Sequence, residues 1–138
     1  VIVADTSGIV ALLNADDQHH LDVLGAFEAH GEQWLIPWAT LPEVDYLVSK
    51  YLGHQVALSF LDDIARGVFH VEGYREEDMA TALKLQRKYR ALELGLVDTV
   101  VMAVSIRFSA SAIVTLDERH FRAVSLGRRP PKLLPFDA

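Results

Sequence analysis

The chain has 138 residues, 51% of them hydrophobic, which suits one domain spanning residues 1–138 with a substantial core. It contains no cysteine, which excludes disulfides, thiolate metal sites and cysteine nucleophiles and fits a reducing compartment such as the cytoplasm. The formal net charge of −6 argues against a nucleic-acid partner until its distribution is read: 7 Lys/Arg against 16 Asp/Glu over residues 1–100 (−9), then 6 against 3 over residues 101–138 (+3).

The opening VIVADTSG is a short apolar run ending in an aspartate and reads as a first strand, not a signal peptide. Leu21, Leu24, Phe27 and Glu28 predict an amphipathic helix ending near Gly31. Trp34, Leu35 and Ile36 predict a strand ending at Pro37. Val44, Leu47, Val48, Tyr51 and Leu52 have the spacing of a helix stopped by Gly53, and Val56 to Ala65 predict the next, stopped by Gly67. Val68, Phe69 and Val71 suggest a third strand. Glu76, Glu77 and Asp78 open a helix through Met79, Leu83 and Gln86, as the helix dipole favours. The segment from Val100 to Phe108 is apolar nearly all round, so a deeply packed helix is expected. Ala112 to Val114 form a fourth strand candidate, and Leu133–Leu134 a final edge strand after the Arg128-Arg129-Pro130-Pro131 loop.

This order predicts an α/β fold, a three-layer α/β/α sandwich on a mainly parallel sheet of four to five strands. Ligands of such sheets bind beyond the carboxyl ends of the strands. Asp5 and Asp117 directly follow strand candidates, Glu43 lies seven residues after Ile36, and Asp98 opens the apolar helix, so all four are expected at one rim. Gathered carboxylates repel one another and resist desolvation, and a divalent metal is the economical remedy. Each acid also has an ordinary structural reading. Thr40-Leu41-Pro42-Glu43 matches a capping box. Asp98 and Asp117 suit N-caps, and Asp5 suits a turn or cap. Asp16, Asp17, Asp45, Asp62 and Asp63 read as surface charge.

Arg107, Arg119, Arg122, Arg128, Arg129 and Lys132 are candidates for a basic lip beside the acidic pocket, where a phosphate backbone would lie. Trp34 and Trp38 suit either base stacking or the core. The pair His19-His20 lacks metal-ligand spacing and reads as surface, and His120 suits phosphate contact or a capping turn. No GxxxxGK[ST], GxGxxG or GxSxG occurs, which removes the sequence case for nucleotide cofactors and serine hydrolysis.

ADTSG, the LPEV glutamate, the GLVDTVVMA aspartate and the TLDERHF aspartate together resemble the PIN domain, and their spacing resembles VapC, the toxin ribonuclease of bacterial toxin–antitoxin pairs. The resemblance implies a metal-dependent endoribonuclease whose four acids are Asp5, Glu43, Asp98 and Asp117. It implies Mg²⁺ or Mn²⁺ held chiefly by Asp5 and Asp98, with Asp117 direct or through water, and Glu43 serving a second ion or a water. The product ends would be a 5′-phosphate and a 3′-hydroxyl. Thr6 or Ser7, and Thr115, fall where the family often carries a hydroxyl near the site. Partners implied are RNA, a homodimer mate and a cognate antitoxin, whose peptide would lie in a groove near Tyr46, Tyr51 and Phe60 and set a basic side chain against the carboxylates. Two other readings stand beside this: a non-catalytic interaction module on the same fold, and a phosphotransferase forming an aspartyl-phosphate at Asp5. The second would want an acid at position 7, which is serine, and a lysine near Asp117, where none occurs.

Overall fold

Short runs that are apolar at every position become strands here because both faces of the sheet are covered. The computed structural model describes residues 1–29 and 31–138. Strands β1 (Ile2–Ala4), β2 (Trp34–Pro37), β3 (His70–Glu72), β4 (Ala112–Val114) and β5 (Lys132–Leu134) form one sheet in the order β3-β2-β1-β4-β5, parallel throughout. Side chains alternate between faces. Ile2, Ala4, Trp34, Ile36, Ala112 and Val114 enter one core with helices α1 (Thr6–Leu13), α2 (His20–Ala29), α3 (Thr40–Tyr51) and α4 (His54–Ala65). Val3, Leu35, Ile113 and Leu133 enter the other with α5 (Glu76–Lys88), α6 (Leu96–Arg107) and α7 (Glu118–Ala123). The three layers and the edge position of β5 agree with expectation.

Three details differ. Two helices, not one, join β1 to β2, because the run from Ile9 to Leu13 is itself helical. The third strand begins at His70, after Val68 and Phe69, and as an edge strand it is only partly buried. The helices also dock through smaller residues than the pattern suggested: Val23 and Ala26, Ala57 and Phe60, Ala82 and Leu85 are buried, while Leu21, Leu58, Leu61 and Leu83 face solvent. Alanines let a helix approach the sheet closely, and the bulkier leucines then rotate outward. His30 lies outside the described residues, so the expected helix end near Gly31 is seen only as far as Ala29.

Helix α6 meets the expectation of depth, with every residue from Thr99 to Ser105 buried. Its last residue, Arg107, is tied down rather than free. The guanidinium donates to both carboxylate oxygens of Asp78, each at 2.9 Å, and to Glu72 at 2.9 Å. Asp78 was expected to serve the helix dipole at the surface, yet it is buried and paired across two helices. Those contacts, Asp78 first, raise the Arg107 pKa and keep it charged. Replacing Arg107 by Ala strands a buried carboxylate and should cost about 2 kcal/mol, read as a lower urea midpoint. An unchanged midpoint would show the network to be energetically neutral.

Glycine 8 sets how closely α1 approaches the sheet. A Cβ there would lie 2.5 Å from the carbonyl oxygen of Val114, so α1 sits against β4 with no space for a side chain. Among the described residues no helix is long and apolar enough to cross a membrane.

Candidate active site

The site is assembled where β1 and β4 end side by side, with β2 and β5 on their outer flanks. That register sets Asp5 and Thr115 one residue beyond paired strand ends, with the Asp5 N–H donating to the Val114 carbonyl at 2.9 Å. Glu43 comes from the first turn of α3, Asp98 from the first turn of α6, and Asp117 from the N-cap of α7. Asp5, Glu43, Asp98 and Asp117 line one cleft of about 350 Å³ together with Thr6, Ser7, Val10, Asp17, Leu47 and Leu116. All four acids singled out in the sequence therefore share a cavity.

Several capping alternatives dissolve in this geometry. Helix α3 has Ala39 at its N-cap with no side-chain cap bond, so Glu43 does not close a capping box and stands exposed at the cleft. Asp98 lies in the first turn of α6 while Gly95 holds the N-cap position. Asp5 occupies the N-cap of α1 but makes no side-chain cap bond. Asp117 does both jobs: one carboxylate oxygen accepts the His120 N–H at 3.1 Å, and the other lies 2.7 Å from His120 Nδ1.

A hydroxyl network holds the deepest carboxylate. Thr115 Oγ1 donates to Asp5 Oδ2 at 2.8 Å and accepts the Asp117 N–H at 3.0 Å. Ser7 Oγ accepts the Leu116 N–H at 2.8 Å and lies 3.3 Å from Thr115 Oγ1 and 3.4 Å from Asp5 Oδ2. Both hydroxyl positions named from the family resemblance thus hold the β4 exit against the start of α1. Thr6 Oγ1, by contrast, is buried without a hydrogen-bond partner and borders the cleft.

The electrostatics are those of crowded anions. Burial pushes the Asp5 pKa up to about 6, opposed by the Thr115 hydroxyl and reinforced by the negative charge of Asp98. The Asp98 pKa is raised by burial first and then by Asp117, with His120 pulling it down and Glu43 adding to the rise. A cation among these groups would relieve both shifts. Asp98, Asp117 and His120 offer ligand atoms all within 4.8 Å of one another. The donor set, oxygens with one imidazole, suits a hard or borderline divalent ion.

Two participants escaped the sequence reading. Asp17, taken as surface charge, borders the cleft from the loop between α1 and α2, where its Oδ1 accepts the His19 N–H at 2.7 Å. His120 was visible as an i+3 neighbour of Asp117, the spacing that joins side chains across one helical turn. The basic lip is not formed. Arg107 is the last residue of α6, about 14 Å along the helix from Asp98, and is held by Asp78 and Glu72. Arg122 is held by Glu118 and Asp137. Arg128 and Arg129 border a different cleft with Ser105, Ser109 and Ser111, and Lys132 pairs in register with Ala112 at the opposite end of β4. Of the six, Arg119 alone stands beside a site acid, two residues after Asp117. Trp34 is buried in the core, and Trp38 packs edge-on against Tyr74. His20 Nδ1 meets the Ala11 carbonyl, and His19 packs on Phe136.

Residues 2–126 match the family model of the PIN domain. The chain is 25% identical over 123 residues to ribonuclease VapC26 of Mycobacterium tuberculosis, covering 89% of this chain and 91% of that protein. Its fold is similar to the crystal structure of M. tuberculosis VapC20, a sarcin-ricin loop cleaving toxin, with a TM-score of 0.80, 21% identity, and 89% and 95% of the two chains covered. It is also similar to a toxin–antitoxin complex from Klebsiella pneumoniae, with a TM-score of 0.70, 19% identity, and 96% and 99% covered. The family match runs from the first strand past the last of the four cleft acids, and on that ground the chain belongs to the PIN domain family.

Proposed function

We propose that this chain is a metal-dependent endoribonuclease and the toxin half of a toxin–antitoxin pair. The observation that carries the reading is the convergence of Asp5, Glu43, Asp98 and Asp117, from four separate elements, on one cleft. Unpaired anions are not gathered in this way for stability, since burial and mutual repulsion raise the pKa of two of them. The names of its relatives, a ribonuclease and a ribonucleolytic toxin, support RNA as the substrate class.

In this reading Asp98 and Asp117 hold the ion, and Asp5 approaches it from the cleft floor, fixed in direction by Thr115 and Ser7. When bound, Mg²⁺ or Mn²⁺ supplies charge neutralisation at the scissile phosphate and acidifies a water. Glu43, exposed and mobile on its longer side chain, orients the attacking water and accepts its proton. Thr6 Oγ1 offers an unused donor to a non-bridging phosphate oxygen or a water. In-line displacement leaves a 5′-phosphate and a 3′-hydroxyl.

The test is direct. Purified chain should cleave RNA with added Mg²⁺ or Mn²⁺, lose that activity in EDTA, and regain it on re-addition. Equal cleavage in EDTA would sink the metal mechanism, and no cleavage of any RNA would favour a non-catalytic module.

Assembly follows the same comparison, since structural relatives include toxin–antitoxin complexes. Tyr46 and Tyr51 are exposed on α3, Leu58 and Leu61 on α4, and Lys50 lies over both tyrosine rings, whereas Phe60 is buried in the core. This face is the proposed seat of a partner, a second copy of the chain or an antitoxin segment, and a basic antitoxin side chain would compete with the metal for the carboxylates.

A further inference from the structure

We infer that His120 is a direct ligand of the metal beside Asp98 and Asp117, and that its imidazole makes the centre favour Mn²⁺ over Mg²⁺. The inference rests on the metal-dependent reading above and reassigns its inner ligands. From the sequence, Asp5 and Asp98 were expected to anchor the ion. In the structure Asp5 lies at the cleft floor, buried and engaged by Thr115, while the three side chains whose ligand atoms cluster within 4.8 Å are Asp98, Asp117 and His120. Among the described residues no other trio of His, Asp or Glu comes so close. Two donors on one ion lie at most ~4.2 Å apart, twice a bond of ~2.1 Å, so side-chain shifts of a few tenths of an ångström close the set.

The ring is placed for this by its helix. His120 sits in the first turn of α7, three residues after Asp117, and its Nδ1 already lies 2.7 Å from Asp117 Oδ2. All three ligand residues are half-buried, open enough for an ion to enter. A separate observation marks the same place as a ligand site: Thr6 Oγ1, in a residue only 6% exposed, borders this cleft with no partner in the protein.

The selectivity follows from ligand chemistry. Mg²⁺ demands oxygen donors, dehydrates reluctantly and keeps several waters. Imidazole nitrogen adds little to its binding. Mn²⁺ accepts carboxylate oxygen and also gains from a nitrogen donor, and later first-row ions gain more. A centre of two carboxylates and one imidazole therefore separates Mn²⁺ from Mg²⁺ where an all-carboxylate centre would not.

Chelator-stripped protein loaded with Mn²⁺ and read by pulsed EPR tests this without any RNA. A directly bound imidazole imposes a nitrogen hyperfine coupling on the manganese signal. The coupling should be present in the parent chain and in His54→Ala, an exposed-histidine control, and absent in His120→Ala. Calorimetry should show Mn²⁺ affinity falling at least about tenfold in His120→Ala, as loss of even an outer-shell partner does, with Mg²⁺ affinity changed far less. The parent spectrum decides alone if the variant does not fold. Bound Mn²⁺ without nitrogen coupling, alongside EDTA-sensitive RNA cleavage, would overturn the role of His120 and leave the ribonuclease reading standing. Failure of the chain to bind either ion would remove both.

Discussion

Replacing Asp5 by Asn is expected to stabilise the metal-free protein at pH 7.5 while abolishing RNA cleavage. Asp5 is 4% exposed, and its pKa is pushed up to about 6 from 3.8, chiefly by burial. A raised carboxylate pKa means the native state binds the proton more tightly than the unfolded chain. Stability is then highest below about 3.8, declines as pH rises towards 6, and stays diminished above it. The shift of roughly two pKa units corresponds to about 3 kcal/mol. Asparagine keeps an acceptor for the Thr115 hydroxyl but carries no charge to desolvate. Urea unfolding in EDTA should therefore show Asp5→Asn more stable by up to about 3 kcal/mol at pH 7.5, with the advantage gone near pH 3.5. A variant no more stable than its parent at neutral pH would refute the electrostatic account of this residue. Added Mn²⁺ should stabilise the parent more than the variant, because the ion supplies the missing counter-charge.

The largest effect on activity is expected at Asp98. Asp98→Asn preserves shape and keeps an oxygen for the Gly95 N–H, but removes a charge from the pair that holds the ion. Loss of metal-borne transition-state stabilisation of several kcal/mol translates into a fall in cleavage rate on the order of a thousandfold. The fold should survive, because the raised pKa of Asp98 marks its charge as a burden on the metal-free structure. Rate measurements under saturating Mg²⁺ and Mn²⁺, paired with a thermal unfolding curve, separate the two effects. Retention of more than about a tenth of the rate would remove Asp98 from the centre, a loss of only ~1.4 kcal/mol.

The layers of the fold were legible because each strand is a run apolar at successive positions, a pattern that only a sheet covered on both faces demands. The four acids were legible because strand ends and helix starts mark the rim of such a sheet. Helix faces were harder. Leu21, Leu58, Leu61 and Leu83 dominate any hydrophobic pattern, but close docking on the sheet selects Ala26, Ala57 and Ala82. The charges of residues 101–138 misled for a related reason. Their proximity in sequence spans a helix, a strand, a short helix and a loop, and the fold sends Arg107 and Lys132 away from the cleft while engaging Arg107 and Arg122 in ion pairs. Asp17 was missed because nothing in Asn14-Ala15-Asp16-Asp17 distinguishes the turn residue facing inward from its neighbour facing water.

The close seat of α1 on β4 at Gly8 has a practical consequence for anyone screening variants by loss of cleavage. Any side chain at that position wedges the helix away from the strand, and Ser7 with its bond to the Leu116 N–H moves with it. Inactive clones at position 8 would then be indistinguishable, on a plate, from clones lacking a carboxylate. Soluble yield distinguishes them: acid-to-amide clones accumulate as intact protein, and Gly8 clones do not.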